Sequence, residues 1–285
     1  MIKHNKTEER IARVLMLTST LLIAGLLIFI LISVLWRALP AFSLDMVTRT
    51  PQGGFYFGKS GGILNAIVGS VYLSLGATGL SLLISLPLAL YINLYLNKSN
   101  KTGDVVRFFL DVMWGIPSVV YGVFGFAVML IIGMKTSLLA GIITVSVFII
   151  PIMVRAMDEV FKTVPKGLTE TCLSLGMTRS ETAYKIYVRQ CFPGIITAVL
   201  LSFGRAIGDA ASVLFTTGYT DHIPASLNQP AATLPLAIFF QLSSPFAEVR
   251  ERAYASAGVL IIIILIISII SRIFTGQFRK HTIKF

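Results

Sequence analysis

Ser202, Arg205, Asp209, Ser212 and Thr216 follow one another at spacings of 3, 4, 3 and 4 in the run 190–220, which carries no other charged side chain. In a helix this spacing lines all five up on one face. The run is otherwise apolar and long enough to cross a bilayer, where insertion scales set the cost of a lone arginine at about 2.5–3.5 kcal/mol. Arg205 therefore does not face lipid, and Asp209, one turn on, is its natural counter-charge. Two readings follow. The pair is neutral overall and only helps pack a bundle, or it belongs to a polar path through the membrane, the default for intramembrane ionisable groups. Gly204 and Gly208 form a small-xxx-small pair beside the stripe, which lets a neighbouring backbone approach. Neither cysteine, Cys172 or Cys191, stands in a metal-ligand cluster. Free thiols in a reducing compartment are expected, with no metal and no cofactor.

The surroundings that must hold this stripe are set by composition. With 55% hydrophobic and 13% charged residues, and a mean hydropathy of +0.82, 285 residues have too little polar surface for a water-soluble globule. The chain reads as an all-α integral membrane protein. Its net charge of +11 is scattered between apolar runs and forms no stripe suited to nucleic acid. Six runs reach the roughly 20 residues a span needs: 14–36, 63–96, 112–134, 136–154, 190–220 and 253–271. The first is too long for the core of a cleaved signal peptide. The run 223–247 is also uncharged, but Pro224, Pro230, Pro235 and Pro245 leave no uninterrupted piece long enough to cross. The piece 234–246 suits an interfacial or re-entrant helix.

Of the 24 Lys and Arg, only Arg37, Arg49, Lys59, Lys135, Arg250 and Arg252 fall on the outer side of a six-span arrangement, and Arg205 lies inside a span. The rest lie on the inner side, which places both termini in the cytoplasm. Pro87, Pro117 and Pro151 mark irregular helices within the spans. The outer segment 37–62, with Gly53-Gly54 and Gly61-Gly62 around aromatic residues, suits a folded loop at the membrane surface. The expected organisation is 1–62 for the N-terminus, first span and outer loop, 63–275 for a five-helix core with a cytoplasmic loop 155–190, and 276–285 for a basic tail.

That loop is not slack. Pro165 opens a helix over 166–175, Gly176 ends it, and Thr178 with Glu181 stands at capping-box spacing before the uninterrupted run 181–192. Leu168, Cys172 and Leu175 share a face, away from Lys166, Glu170 and Ser174. Such a face needs a surface to dock on.

The order Glu170-Thr171-Cys172, three residues, Gly176, nine residues, Ile186 resembles the EAA loop of ABC importer permeases, with Thr171 and Cys172 in place of two alanines and Val188-Arg189 in place of Leu-Pro. Ile116-Pro117-Ser118-Val119-Val120-Tyr121-Gly122, Val164-Pro165 through Leu175-Gly176, and Gly204-Arg205-Ala206-Ile207-Gly208-Asp209-Ala210 resemble segments of phosphate-specific ABC importer permeases. Gly61-Gly62-Ile63-Leu64-Asn65-Ala66-Ile67 and Leu214-Phe215-Thr216 resemble the PstA-type subunit more than the PstC-type. The resemblance covers about 60–275, and Asp209 stands where that family usually has glutamate.

The resemblance implies a type I ABC importer permease fold in a bacterial inner membrane. The implied partners are a PstC-type permease in a heterodimer, two ATP-binding subunits and an external phosphate-binding protein. It also implies that Leu168, Glu170, Thr171, Cys172, Leu175 and Gly176 couple to the ATPase. The anion path would then hold Arg205, Asp209, Ser202, Ser212 and Thr216, with Arg155 as a second family arginine. A guanidinium donates to the oxygens of hydrogen phosphate, and a carboxylate accepts its O–H. The string Gly53-Gly54-Phe55-Tyr56-Phe57-Gly58-Lys59-Ser60 spells G-x-x-x-x-G-K-[ST], but it stands in the outer segment between two spans without the strand-to-helix context of a phosphate loop, so the chain is not expected to be the ATPase itself. A permease for another oxyanion or solute, an ion-coupled secondary transporter and a membrane-bound scaffold are the alternatives.

Overall fold

In a computed structural model, which describes residues 2–53, 55–57, 60–96 and 101–278, the chain is almost entirely helical. Lys59, the 98–100 part of one expected loop and the basic tail from 279 lie outside the described residues. Among the described residues five helices are long and apolar enough to cross a membrane, and a bent pair brings the number to six if it counts as one span.

The first helix, α1 (Ile2–Ala38), leaves every residue from 8 to 30 exposed. Only its last turns are tied to the body. There Arg37 donates to the Tyr254 hydroxyl at 2.8 Å and lies over that ring. The following segment folds as expected, around the short α2 (Leu44–Thr48) capped by Ser43 and a bridge between Pro51 and Gly61. A Cβ on Gly62 would collide with the carbonyls of Asp45, Met46 and Arg49, so this turn closes only with glycine. Farther along, the Tyr56 hydroxyl donates to Asp221 at 2.6 Å. Burial first, then the neighbouring Tyr219 and Asp221, pushes that phenol far above its usual range.

The central pair is α3 (Leu64–Leu94) against α6 (Leu138–Lys162). The α3 face turned inward carries Ser70, Ser74, Thr78, Ser81 and Ser85, all buried. Their small size lets the backbones approach, and the hydroxyls bond across: Ser81 to the Ser146 carbonyl at 3.1 Å, and Ser146 to the Ala77 carbonyl at 3.2 Å. Pro87 and Pro151 are accommodated inside these helices.

The expected third span is not one helix. It divides into α4 (Lys101–Gly115) and α5 (Ser118–Ile131), bent by 94° at Ile116-Pro117. The proline ring removes a donor and disfavours a helical residue before it, so the helix stops there. The fourth span runs on to Lys162 and carries Arg155 inside a helix, where a loop was expected to begin.

Beyond it come α7 (Lys166–Ser174), then α8 (Arg179–Glu181), a π-helical segment Thr182–Tyr187 and α9 (Val188–Ile207). The last three run on as one stretch, so the second loop helix is the start of the fifth span. That span ends at Ile207 and does not continue to 220. The chain then crosses 208–233 without regular helix. Gly218 at φ +79 turns it, and Ser137 N–H and Ala231 N–H donate to the carbonyls of Thr216 and Thr217. The helix α10 (Leu234–Leu242) is sunk into the protein, with Leu234 and Leu236 at 0% exposure. Last, α11 (Ala247–Phe278) packs on α1, α9 and α10.

Candidate functional site

Arg205 occupies the last turn of α9, and its guanidinium nitrogen stops 3.7 Å from Asp209 Oδ1. The two are unequal: the arginine side chain is 50% exposed and the aspartate 4%. The guanidinium carbon lies 4.9 Å above the Phe148 ring, which braces it. Asp209 itself is tied down, because its Oδ2 accepts from Ser212 N–H at 2.9 Å.

The single helical face read from the 3, 4, 3, 4 spacing is therefore corrected. Only Ser202 and Arg205 lie in α9, and the helix ends between Arg205 and Asp209. Asp209, Ser212 and Thr216 follow in the turns after it, with Thr216 donating to the Ser212 carbonyl at 3.2 Å. Ser202, Ser212 and Thr216 are at 0% exposure, so in this conformation they do not line an open surface. The hydroxyls of Ser202 and Ser212 are buried with no hydrogen-bond partner among the described residues. Gly204 has open space where a Cβ would stand, and a Cβ on Gly208 would meet only ordinary contacts, the nearest other helix being α11 through Ile264 at 3.9 Å, so the pair marks no close helix approach within this chain. Glycines on α5 do permit a close approach: a Cβ on Gly122 would come to 2.8 Å from the Ala211 carbonyl and 2.9 Å from that of Ser212. Thus α5 rests directly on the turns that hold Asp209.

Arg155 is not a free guanidinium. Its Nε lies 2.7 Å from Asp111 Oδ1, its Nη1 3.0 Å from Asp158 Oδ2, and 79% of its side chain is covered, since only 21% is exposed. This leads to a cluster that the sequence reading missed. The Asp158 carboxylate is wholly buried and accepts from Arg107 Nε at 3.0 Å and Nη2 at 3.1 Å, from Asn93 Nδ2 at 2.9 Å and from Arg155. Lys162 Nζ adds a cation at 2.9 Å. One carboxylate thus joins α3, α4 and α6. The available signal was helical: Arg155 and Lys162 stand three and four residues from Asp158 on α6, and Arg107 and Asp111 four apart on α4.

At the same end lies the loop expected to dock. Pro165 precedes α7, and Gly176 adopts φ +83, the left-handed turn anticipated for it. The capping box is formed: Thr178 N–H donates to Glu181 Oε2 at 3.0 Å, and Glu181 N–H to Thr178 Oγ1 at 3.2 Å. The expected docking face divides. Cys172 is buried and Leu168 half-buried against the core, whereas Leu175 is 78% exposed alongside exposed Glu170 and Thr171. Thr169 and Tyr187 hydroxyls meet at 2.9 Å, and Tyr95 meets Ser180 at 2.9 Å, so the loop is fastened to both α3 and the fifth span.

Residues 81–283 match the family model described as binding-protein-dependent transport system inner membrane component. Among curated proteins, the chain is 33% identical over 257 residues to the phosphate transport system permease protein PstA of Pasteurella multocida, covering 89% of each. It is 31% identical over 280 residues to the protein of the same name from Yersinia pestis, covering 97% of this chain and 92% of that one. Among solved structures, a chain of the MetNI methionine ABC transporter in its inward-facing conformations superposes with a TM-score of 0.63 at 16% identity, over 75% of this chain and 95% of that one. The shared fold is that of a type I ABC importer permease. The chain therefore belongs to the family of binding-protein-dependent transport system inner membrane components, as a permease subunit of an ABC importer.

Proposed function

We propose that this chain forms half of the translocation path of an ATP-driven phosphate importer in a bacterial inner membrane. In this reading it pairs with a PstC-type permease, docks an ATP-binding dimer through loop 163–189 and receives phosphate from an external binding protein. The observation that carries the reading is Arg205, a membrane-embedded guanidinium with half its surface open and its own carboxylate too far away to saturate it. A guanidinium so placed must face water or protein, because lipid cannot solvate it. The names of the relatives supply the cargo, and the chemistry agrees with it. Hydrogen phosphate takes parallel N–H donors from arginine and offers an O–H to a carboxylate.

Both termini and the α7 end lie in the cytoplasm in this proposal, following the bias of Lys and Arg. The exposed set Glu170, Thr171, Leu175 and Gly176 meets the ATPase, while Leu168 and Cys172 anchor α7 to the permease core. Ser202, Ser212 and Thr216 are buried in this conformation, and Arg155 contributes mainly by holding α4 against α6. The test is uptake of labelled phosphate by the assembled complex with Arg205→Gln. Loss of uptake in an intact complex is expected. Normal uptake would reduce the Arg205–Asp209 pair to packing, and uptake of sulfate in place of phosphate would change the cargo.

A further inference from the structure

We propose that Asp158 is a positioning residue through which a push on α7 reaches the Asp209–Ser212 turns, with the bent pair α4 and α5 as the lever. The inference rests on the reading above, that α7 meets the ATPase and that Asp209 borders the path. It adds how the two, at different levels of the membrane, are mechanically joined.

Three linked contacts carry it. First, α7 is stiffly coupled to the end of α6. Only 163–165 separate them, Thr163 closes onto the Val160 carbonyl at 2.7 Å, and Val164 is buried in the same core cluster as Phe161 and Tyr187. A displacement of α7 therefore moves the last turns of α6, where Asp158 sits. Second, Asp158 grips α4 through a two-pronged bond from Arg107, at 3.0 and 3.1 Å. Forked charge-assisted bonds fix orientation as well as distance, so α4 must follow. A second tie, the ion pair of Arg155 with Asp111 at 2.7 Å, lies one turn farther along both helices and adds a second point of attachment, though without hydrogen-bond geometry at Nε.

Third, α4 reaches the path through the 94° bend at Ile116-Pro117. Beyond the bend, Gly122 lies against the carbonyls of Ala211 and Ser212, with no side chain between to absorb a shift. A tilt of α4 becomes a displacement of α5, and that displacement bears on the turns that hold Asp209. Packed cores transmit such shifts because they deform poorly. Without the Arg107 fork, α4 would be held to α6 only by the Arg155–Asp111 pair and by packing, and would follow α6 less closely.

The test uses the full complex in liposomes, with spin labels at the exposed positions Phe124 on α5 and Leu83 on α3, which lies outside the lever. The inter-label distance is measured before and after trapping the ATPase with ADP and vanadate, and ATP hydrolysed per phosphate imported is measured in parallel on unlabelled complex. The parent is expected to change its distance on trapping. Arg107→Gln is expected to assemble, hydrolyse ATP within about twofold of the parent and lose the distance change. Its uptake should fall about tenfold, inside the roughly 5–150-fold span of couplings between sites. Arg107→Lys, which keeps the charge but not the fork, should recover part of both. An unchanged distance response in Arg107→Gln, or an unchanged ratio of ATP to phosphate, overturns the relay. So does a variant that loses assembly and hydrolysis together while the Lys variant fails to recover them, because Arg107 then serves stability alone. A parent that hydrolyses ATP and moves its labels but imports no phosphate overturns the cargo reading and leaves the relay standing.

Discussion

Ser212 N–H donates to Asp209 Oδ2 at 2.9 Å, so the carboxylate that faces Arg205 also holds the first turn after α9. Its two oxygens have different duties. One organises backbone, and the other is within electrostatic reach of the guanidinium.

Separating the duties gives a first prediction. Asp209→Asn keeps an acceptor for Ser212 N–H, so the complex should melt close to the parent while phosphate uptake falls. The penalty for sulfate-like anions, which offer no O–H, should be smaller. Asp209→Ala also removes the cap and should lower stability by about 1–2 kcal/mol. Thermal melting of the detergent-solubilised complex reads this, and equal melting of the two variants would remove the capping role.

The two arginines should fail differently. Arg205→Gln is expected to abolish or greatly reduce uptake with little effect on melting, since its side chain is half exposed and its ion pair is long. Arg155→Gln removes the partner of Asp111 and one cation from Asp158. It should cost on the order of 2 kcal/mol in stability and reduce uptake less severely. Melting and uptake measured side by side would expose the opposite order.

Gly176 stands at φ +83 with nothing within 4 Å of where a Cβ would be. The obstacle to substitution is therefore backbone conformation and not space, and an L-residue there is disfavoured by about 1–2 kcal/mol. Gly176→Val should remove ATP-driven uptake while the spans still insert. Gly176→Asn, which tolerates that conformation, should retain most of it. Glu170→Lys, exposed on α7, should lose uptake without loss of protein in the membrane. Full transport by both Gly176→Val and Glu170→Lys would remove the docking role from this loop.

Sidedness has its own check. A cysteine in place of Arg250, on the first turn of α11, should react with an impermeant thiol reagent applied outside intact cells. One in place of Arg179, in α8, should react only after the cells are opened. Labelling of position 179 from outside would invert the orientation.

Local chemistry was the most legible part of the sequence. Thr178, Glu181, Gly176 and Pro165 act through backbone geometry within a few residues, and the structure has each where its spacing indicated. The spans were legible because hydropathy is additive along the chain. The same additivity hid the end of α9: buried turns such as 208–217 are as apolar as a helix and differ only in how their backbone groups are satisfied. Periodicity then carried Asp209, Ser212 and Thr216 onto a helical face that does not exist. The break at Pro117 was visible as a proline, but its angle depends on what α4 and α5 each pack against. Asp158 went unremarked because its partners Asn93 and Arg107 are distant in sequence, and only Arg155 and Lys162 are close enough for helical spacing to suggest them.

The π-helical segment Thr182–Tyr187 has a consequence for phase. A π turn accommodates one residue more than an α turn, and each α-helical residue advances about 100° around the axis. The stretch from Arg179 to Ile207 therefore carries a rotational offset: the face that fastens Ser180 to Tyr95 and the face that presents Arg205 are aligned for a helix with that extra residue. Deleting one residue within 182–187 would let the stretch relax to a plain helix and would swing Arg205 about a quarter turn relative to the capping box, with every residue of the motif still present.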